Sequence, residues 1–87
     1  MQWSEVRSRY SAQWVLVEAI EASTQGNKRV LDQLNVIGSF DDNSKEALRS
    51  YIKLHRENKQ REMYVVHTSH DQLDITVTQW TGVRALR

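Results

Sequence analysis

Apolar and polar positions alternate along residues 62–80, first over 63–68 and then, after the polar segment Ser69-His70-Asp71-Gln72, over 73–78. Alternation with a period of two residues is typical of β-strands that bury one face. The pattern predicts two antiparallel strands joined as a hairpin, with an apolar face and a polar face.

Two earlier apolar segments, from Trp14 to Thr24 and from Val30 to Phe40, flank the turn Gln25-Gly26-Asn27-Lys28. Glycine and asparagine accept positive φ most easily, so the sequence predicts a second, longer hairpin around this turn. Its first strand has apolar residues on both sides over 14–17, which indicates cover on both faces. The second segment also has helical spacing, but Gly38 favours a strand with a bulge or bend at that position.

A helix is predicted between the two hairpins. Asn43 and Glu46 have the spacing of a capping box, in which each side chain bonds to the backbone N–H of the other's residue. The helix is expected to end near Asn58, and a shorter helix capped by Ser4 is expected at the N-terminus. The apolar stripe of the main helix falls at i, i+3, i+4 and i+7, at Leu48, Tyr51, Ile52 and His55, and Ala47 and Leu54 widen it.

These patterns predict one α+β domain over residues 1–87, with a short N-terminal helix followed by the element order ββαββ. The strands are expected to form a four-stranded, mainly antiparallel sheet. The helices are expected to cover one face of this sheet, and solvent or a second subunit the other.

Composition makes association with another chain a natural expectation. A domain of 87 residues has a thin core, and without cysteine it has neither disulfides nor thiolate metal sites to support that core. Good packing and oligomerisation are the remaining sources of stability, so we expect a homodimer or another protein partner.

Charge and hydropathy argue against a membrane partner. The formal net charge is +1, and the longest apolar run, Trp14-Val15-Leu16-Val17, ends at Glu18. A membrane-spanning helix needs about 20 apolar residues. The first residues also lack the apolar core of a secretory signal, so the sequence predicts a cytoplasmic protein.

One face of the main helix is basic and could contact phosphates. The residues that would do so recur near helical spacing: Arg49, Lys53, Arg56, Lys59 and Arg61. Glu57 and Glu62 interrupt the series, and few aromatic residues lie near it for base stacking. A nucleic-acid-associated regulator is therefore an alternative function, less favoured than a solvated helix face.

Three histidines are the main candidates for site chemistry. His67 and His70 lie three residues apart beside a turn, and His55 lies on the apolar stripe of the helix. A metal site usually needs imidazoles that converge together with a third ligand, which this spacing does not supply. A small metal protein or enzyme based on these histidines is a further alternative; we predict no catalytic residue, no cofactor and no metal ligand.

Two glutamates and one tryptophan lead to separate predictions. Glu18 and Glu21 are three positions apart on a strand, hence on opposite faces, and are expected to be solvated. Trp80 falls on the otherwise polar face of the last strand, where its ring needs a covering surface. We therefore predict a subunit interface at Trp80, Thr76 and Thr78.

The order of several segments resembles that of short, single-domain bacterial proteins of uncharacterised function. The segments are Gln13-Trp14-Val15-Leu16-Val17-Glu18-Ala19, Phe40-Asp41-Asp42, Tyr51 with Leu54-His55, and Tyr64-Val65-Val66-His67-Thr68-Ser69. The resemblance covers most of the chain. It implies a single compact domain, no assigned activity and no site residues.

The favoured function is therefore a non-catalytic cytoplasmic module for protein interaction or regulation, acting as a homodimer. It depends on tryptophans and strand surfaces that serve packing and contact instead of catalysis.

Overall fold

The computed structural model describes residues 1–73 and 75–76. Over these residues the elements are helix α1 (Trp3–Arg9), strands β1 (Trp14–Gln25) and β2 (Lys28–Ser39), helix α2 (Ser44–Glu57), strand β3 (Met63–His67) and the two-residue strand β4 (Ile75–Thr76). The predicted α+β class is confirmed, with two helices in the described part of the chain. The three long strands form an antiparallel sheet in the order β3-β1-β2.

The predicted four-stranded ββαββ arrangement is not confirmed, and the second hairpin is absent from the described residues. β3 pairs with β1, whereas Ile75 and Thr76 pair with Arg29 and Lys28 of β2, at the opposite edge of the sheet. The reason lies in β1, whose residues Val15–Val17 are all buried. A strand with apolar residues on both faces belongs in the middle of a sheet, so β3 occupies its free edge.

The predicted placement of both helices on one face is wrong. Trp3 and Val6 of α1 pack with Val15 and Val17, which point to the same side of β1. Leu16 points to the other side, where α2 packs against β1 and β3. Each face of the central strand therefore has its own helix, as the apolar residues on both sides of 14–17 require.

α2 forms the crossover that connects the parallel strands β2 and β3. β2 and β3 are each antiparallel to β1, so they run in the same direction with β1 between them. Parallel strands need a long crossover connection, and α2 with its flanking loops supplies it. This split β-α-β unit places α2 over β1 and β3.

The N-terminus of α2 is capped as predicted, but only in one direction. Asn43 Oδ1 accepts a hydrogen bond from the backbone N–H of Glu46 at 3.0 Å, and α2 ends at Glu57 before the C-cap Asn58. The Glu46 carboxylate lies 3.9 Å from Arg49 Nη1 instead of bonding back to the cap. At α1 the cap is Gln2, not Ser4.

The apolar stripe of α2 is centred on Ala47 and Leu54, which were predicted at its margin, together with Tyr51. Ala47 is fully buried, whereas Leu48 and Ile52 expose 51% and 46% of their surface. Ala47, Tyr51 and Leu54 lie on the side of the helix that faces the sheet. The small side chain of Ala47 allows the helix to approach β1 closely. Leu48 and Ile52 are left on the flank of the helix.

The β1–β2 hairpin is regular at its turn and irregular along its length. Gly26 has φ +62°, and the strands lose register between Leu16 and Val17 and twice more between Ala19 and Ala22. The first of these shifts places an extra residue, Ile37, beside Gly38, where a bulge was predicted. Bulges bend and twist a hairpin, so its far end departs from the plane of the sheet.

Candidate interaction surface

The basic residues predicted on α2 do not form one surface. Arg49, Lys53 and Arg56 lie on the outward side of the helix and are exposed, and Lys59 is exposed beyond its end. Arg61 differs: its guanidinium donates two hydrogen bonds to the Glu18 carboxylate, at 2.8 and 3.2 Å.

A shallow groove of about 590 Å³ runs along this outward side of α2. Its lining mixes charges of both signs, with Glu46 and Glu57 beside Arg49, Lys53 and Arg56. The mixture reduces the attraction that the three cations would otherwise exert on a phosphate backbone.

Two of the three predicted interface residues, Trp80 and Thr78, lie outside the described residues. The third, Thr76, pairs through its backbone with Lys28 at the turn of the long hairpin. The predicted interface at these three residues therefore stays a prediction.

Two of the histidines contact neighbouring side chains, although the buried Nδ1 of His55 has no hydrogen-bond partner among the described residues. His67 Nδ1 accepts a hydrogen bond from the Ser69 backbone N–H at 3.1 Å and lies 2.9 Å from Ser69 Oγ, and the Trp14 ring packs edge-on against the imidazole. His55 stacks on Tyr51 within α2, with 5.5 Å between ring centres. In the part of the chain that the structure describes, no three His, Asp or Glu side chains are placed to hold a metal ion.

Glu62 is the centre of a polar cluster that sequence reasoning missed. Its carboxylate accepts two hydrogen bonds from Arg29, at 2.7 and 2.8 Å, and a third from the Tyr64 hydroxyl at 2.5 Å. Charge-assisted bidentate pairs of this kind are the stronger class of protein hydrogen bonds. The cluster ties the hairpin end, at Arg29, to the start of β3.

These bonds shift the ionisation of the groups that make them. The hydrogen bonds from Arg29 hold the pKa of Glu62 below its ordinary value, and those from Arg61 do the same for the pKa of Glu18. Burial raises the pKa of Tyr64, and its hydrogen bond to the Glu62 carboxylate raises it further. Glu18 was expected to be solvated; its bidentate pair with Arg61 shows that this expectation was wrong.

A second groove lies on the α1 side of the sheet and has a volume of about 790 Å³. Trp3, Leu31, Leu73 and Ile75 supply much of its wall. The charged groups in the wall already have partners, since Arg29 binds Glu62 and Asp71 lies 3.1 Å from Arg7. The groove thus offers apolar surface, and the Arg29 and Asp71 side chains in its wall are held in ion pairs instead of forming an acid–base pair.

The outer edge of β3 carries backbone groups that have no strand partner among the described residues. The β1–β3 hydrogen bonds at Ala19–Glu62 and Gln13–Thr68 fix the pattern of the ladder. Every second residue bonds to β1, so the N–H and C=O groups of Met63, Val65 and His67 point away from it. Of these, only the His67 carbonyl has a recorded partner, the His70 N–H at 3.3 Å.

Neither described helix has the length and run of apolar residues needed to cross a bilayer. Comparison of the chain with protein-family models, with curated proteins and with solved structures finds no significant match.

Proposed function

We propose that the protein is a non-catalytic cytoplasmic module that acts as a homodimer in protein interaction or regulation. The observation that supports this proposal is the open edge of β3, a strand of sequence Met-Tyr-Val-Val-His without charge or proline. Open strand edges of this kind pair readily with another chain, and proteins that stay monomeric usually protect them.

The ion-pair partners of the titratable groups support a non-catalytic role. A catalytic acid or base with a shifted pKa normally faces a cleft that can admit a substrate. Glu18 and Glu62, whose pKa values are lowered, instead bind the guanidinium groups of Arg61 and Arg29. Such pairs fasten strands together, which suits a rigid binding module.

We do not extend the proposal to nucleic acid. Arg61 is engaged with Glu18, and two glutamates line the groove that carries the remaining basic residues of α2. Phosphate binding depends on a concentration of positive charge that this surface lacks.

The solution mass tests the proposal. Sedimentation equilibrium on the purified chain at micromolar concentration is expected to give twice the monomer mass of 10.2 kDa. Dilution should shift the mass towards the monomer value in a single reversible step, as for a two-subunit equilibrium. A monomer mass that persists up to high micromolar concentration would contradict the proposal.

A further inference from the structure

We propose that two copies of the chain associate by pairing their β3 strands antiparallel, across a two-fold axis that passes at Val65. This inference rests on the proposed function, because it assigns the interface of the homodimer. The result is one continuous sheet through two subunits, with β3 of each at the centre.

The backbone pattern selects this register. The groups that point outward belong to Met63, Val65 and His67, a set that is symmetric about Val65. In an antiparallel pair centred there, Val65 faces the partner's Val65, and Met63 faces the partner's His67. Each outward N–H then meets an outward carbonyl over the full length of the strand. The His67 carbonyl can accept this bond beside the one from His70, because a carbonyl oxygen has two lone pairs.

The side chains leave this edge unprotected against pairing. Its register with β1 has no shift, so the edge is regular over Met63–His67. The opposite edge strand, β2, is partly covered, because Lys28 and Arg29 pair with Thr76 and Ile75 and the Leu34 backbone bonds to Met1. The far part of β1, which β3 does not cover, is interrupted by register shifts at Glu21 and carries that exposed charge. Bulges and charges are the usual devices that prevent edge-to-edge pairing, and β3 has neither.

Charge also favours a second copy in the antiparallel orientation. Arg61 and Glu62 lie just before β3, and the uncharged residues Thr68 and Ser69 lie just after it. The two-fold register places Arg61 opposite the partner's Ser69 and Glu62 opposite the partner's Thr68. A parallel pairing would instead bring each charge next to its own copy, which is unfavourable.

Helix α2 extends the interface beyond the backbone. It packs on β1 and β3, and Leu48 and Ile52 lie on the flank next to the side that faces the sheet. Crossovers between parallel strands are right-handed in about 98% of cases. In a right-handed β2–α2–β3 crossover, the flank of α2 that carries Leu48 and Ile52 points to the outer side of β3. Two such flanks meet across the axis and cover the exposed apolar surface of both helices.

Disulfide trapping tests the register, and the absence of cysteine from the chain gives a clean background. Val65→Cys should form a disulfide-linked dimer on mild oxidation, because the two Cα atoms would lie about 5.5 Å apart, within the range of a disulfide. Ser23→Cys, on the exposed far part of β1, is the matched control and should give no more than trace cross-linking.

Amide hydrogen exchange on the unmodified chain is a second measurement, and it does not depend on whether a variant folds correctly. Raising the concentration through the dimerisation range should slow exchange at Met63 and Val65 by about tenfold or more, while Tyr64 and Val66, already bonded to β1, change less.

The outcomes separate the two proposals. If the chain is a dimer but the Val65→Cys variant does not cross-link and Met63 and Val65 gain no protection, the interface lies elsewhere; this inference is then overturned while the homodimer stands. A persistent monomer overturns both. A monomer that gains protection at these amides only when an extended peptide is added shows that the occupant is a different chain, which also overturns the inference.

Discussion

Glu62 accepts hydrogen bonds from residues on two different strands, Arg29 of β2 and Tyr64 of β3. Arg29 is 33 positions away in sequence. A single carboxylate therefore links the start of β3 to the end of the long hairpin, and its protonation state should affect how well these elements hold together.

The first prediction concerns acid pH. The pKa values of Glu62 and Glu18 are lower in the folded chain than in the unfolded chain, so their contribution to stability is present above about pH 4.3. It is lost as the pH falls from there through the folded-state values, because the unfolded chain then binds more protons. Urea unfolding midpoints measured from pH 7 to pH 3 should fall steadily over the acid part of this range.

Glu62→Gln should have a lower midpoint than the unmodified chain at pH 7 and a smaller fall towards pH 3, since the substituted amide does not titrate. Glu21→Gln removes a carboxylate from an exposed position on β1 and should follow the unmodified curve. If the Glu62 variant and the unmodified chain fall in parallel, the ion pair does not contribute in this way.

The second prediction concerns the core. Leu16 of β1 is fully buried on the side of the sheet that α2 covers, so Leu16→Ala removes methyl groups from a packed site and leaves a cavity. The free energy of unfolding should fall by about 2–5 kcal/mol.

Ile20 lies four residues further along the same strand and exposes 60% of its surface. Ile20→Ala should change the free energy of unfolding by no more than about 0.5 kcal/mol. If urea unfolding gives equal losses in the free energy of unfolding for the two variants, the far half of β1 is buried in solution.

At the scale of elements, the turn between β1 and β2 depends on one glycine. Gly26 has φ +62°, whereas Asn27 keeps negative φ, so positive φ is confined to the first central position, as in a type II′ turn. No atom lies within 4 Å of a Cβ built at Gly26, so the cost of a side chain there comes from the backbone alone.

Gly26→Ala should therefore lower the free energy of unfolding by about 1–2 kcal/mol. Asn27→Ala, one residue along the same exposed turn, should cost less than about 0.5 kcal/mol. Thermal or urea unfolding followed by circular dichroism distinguishes the two. The opposite ranking would mean that the turn has a different type.

The elements that the sequence predicts well are those that local residues determine. The cap at Asn43, the end of α2 at Asn58 and the turn at Gly26 follow from propensity and spacing over a few residues. The alternation over 63–67 correctly predicts a strand, but the strand's partner depends on which edge of the sheet is free. That choice depends on residues far away in sequence, so the second hairpin was predicted in error.

The candidate site was less accessible to sequence reasoning. Arg61 and Glu18 are 43 positions apart, and only the β1–β3 register brings them together. A charged residue directly after a buried apolar run, as at Glu18, is the one local signal that such a partner exists. The edge of β3 carries a comparable signal in its lack of any charge, which is informative only once the strand is known to be at an edge.

At the scale of the whole molecule, β1 is the organising strand. It has β2 on one side, β3 on the other, α1 against one face and α2 against the opposite face. The two bidentate ion pairs tie strands on its two sides to each other and to β1 itself. Substitutions in Val15–Val17 therefore affect every layer of the protein, whereas those beyond Ile20 affect the hairpin end alone.

The position of β1 has a consequence for synthesis of the protein. As the chain leaves the ribosome, α1, β1 and β2 emerge first and can already cover the Val15 and Val17 side of the hairpin. Leu16 stays open to water until α2 and β3 have followed, because both arrive later in the sequence. The interval during which residues 40–67 are translated is thus when the nascent chain is most exposed to chaperones and to aggregation.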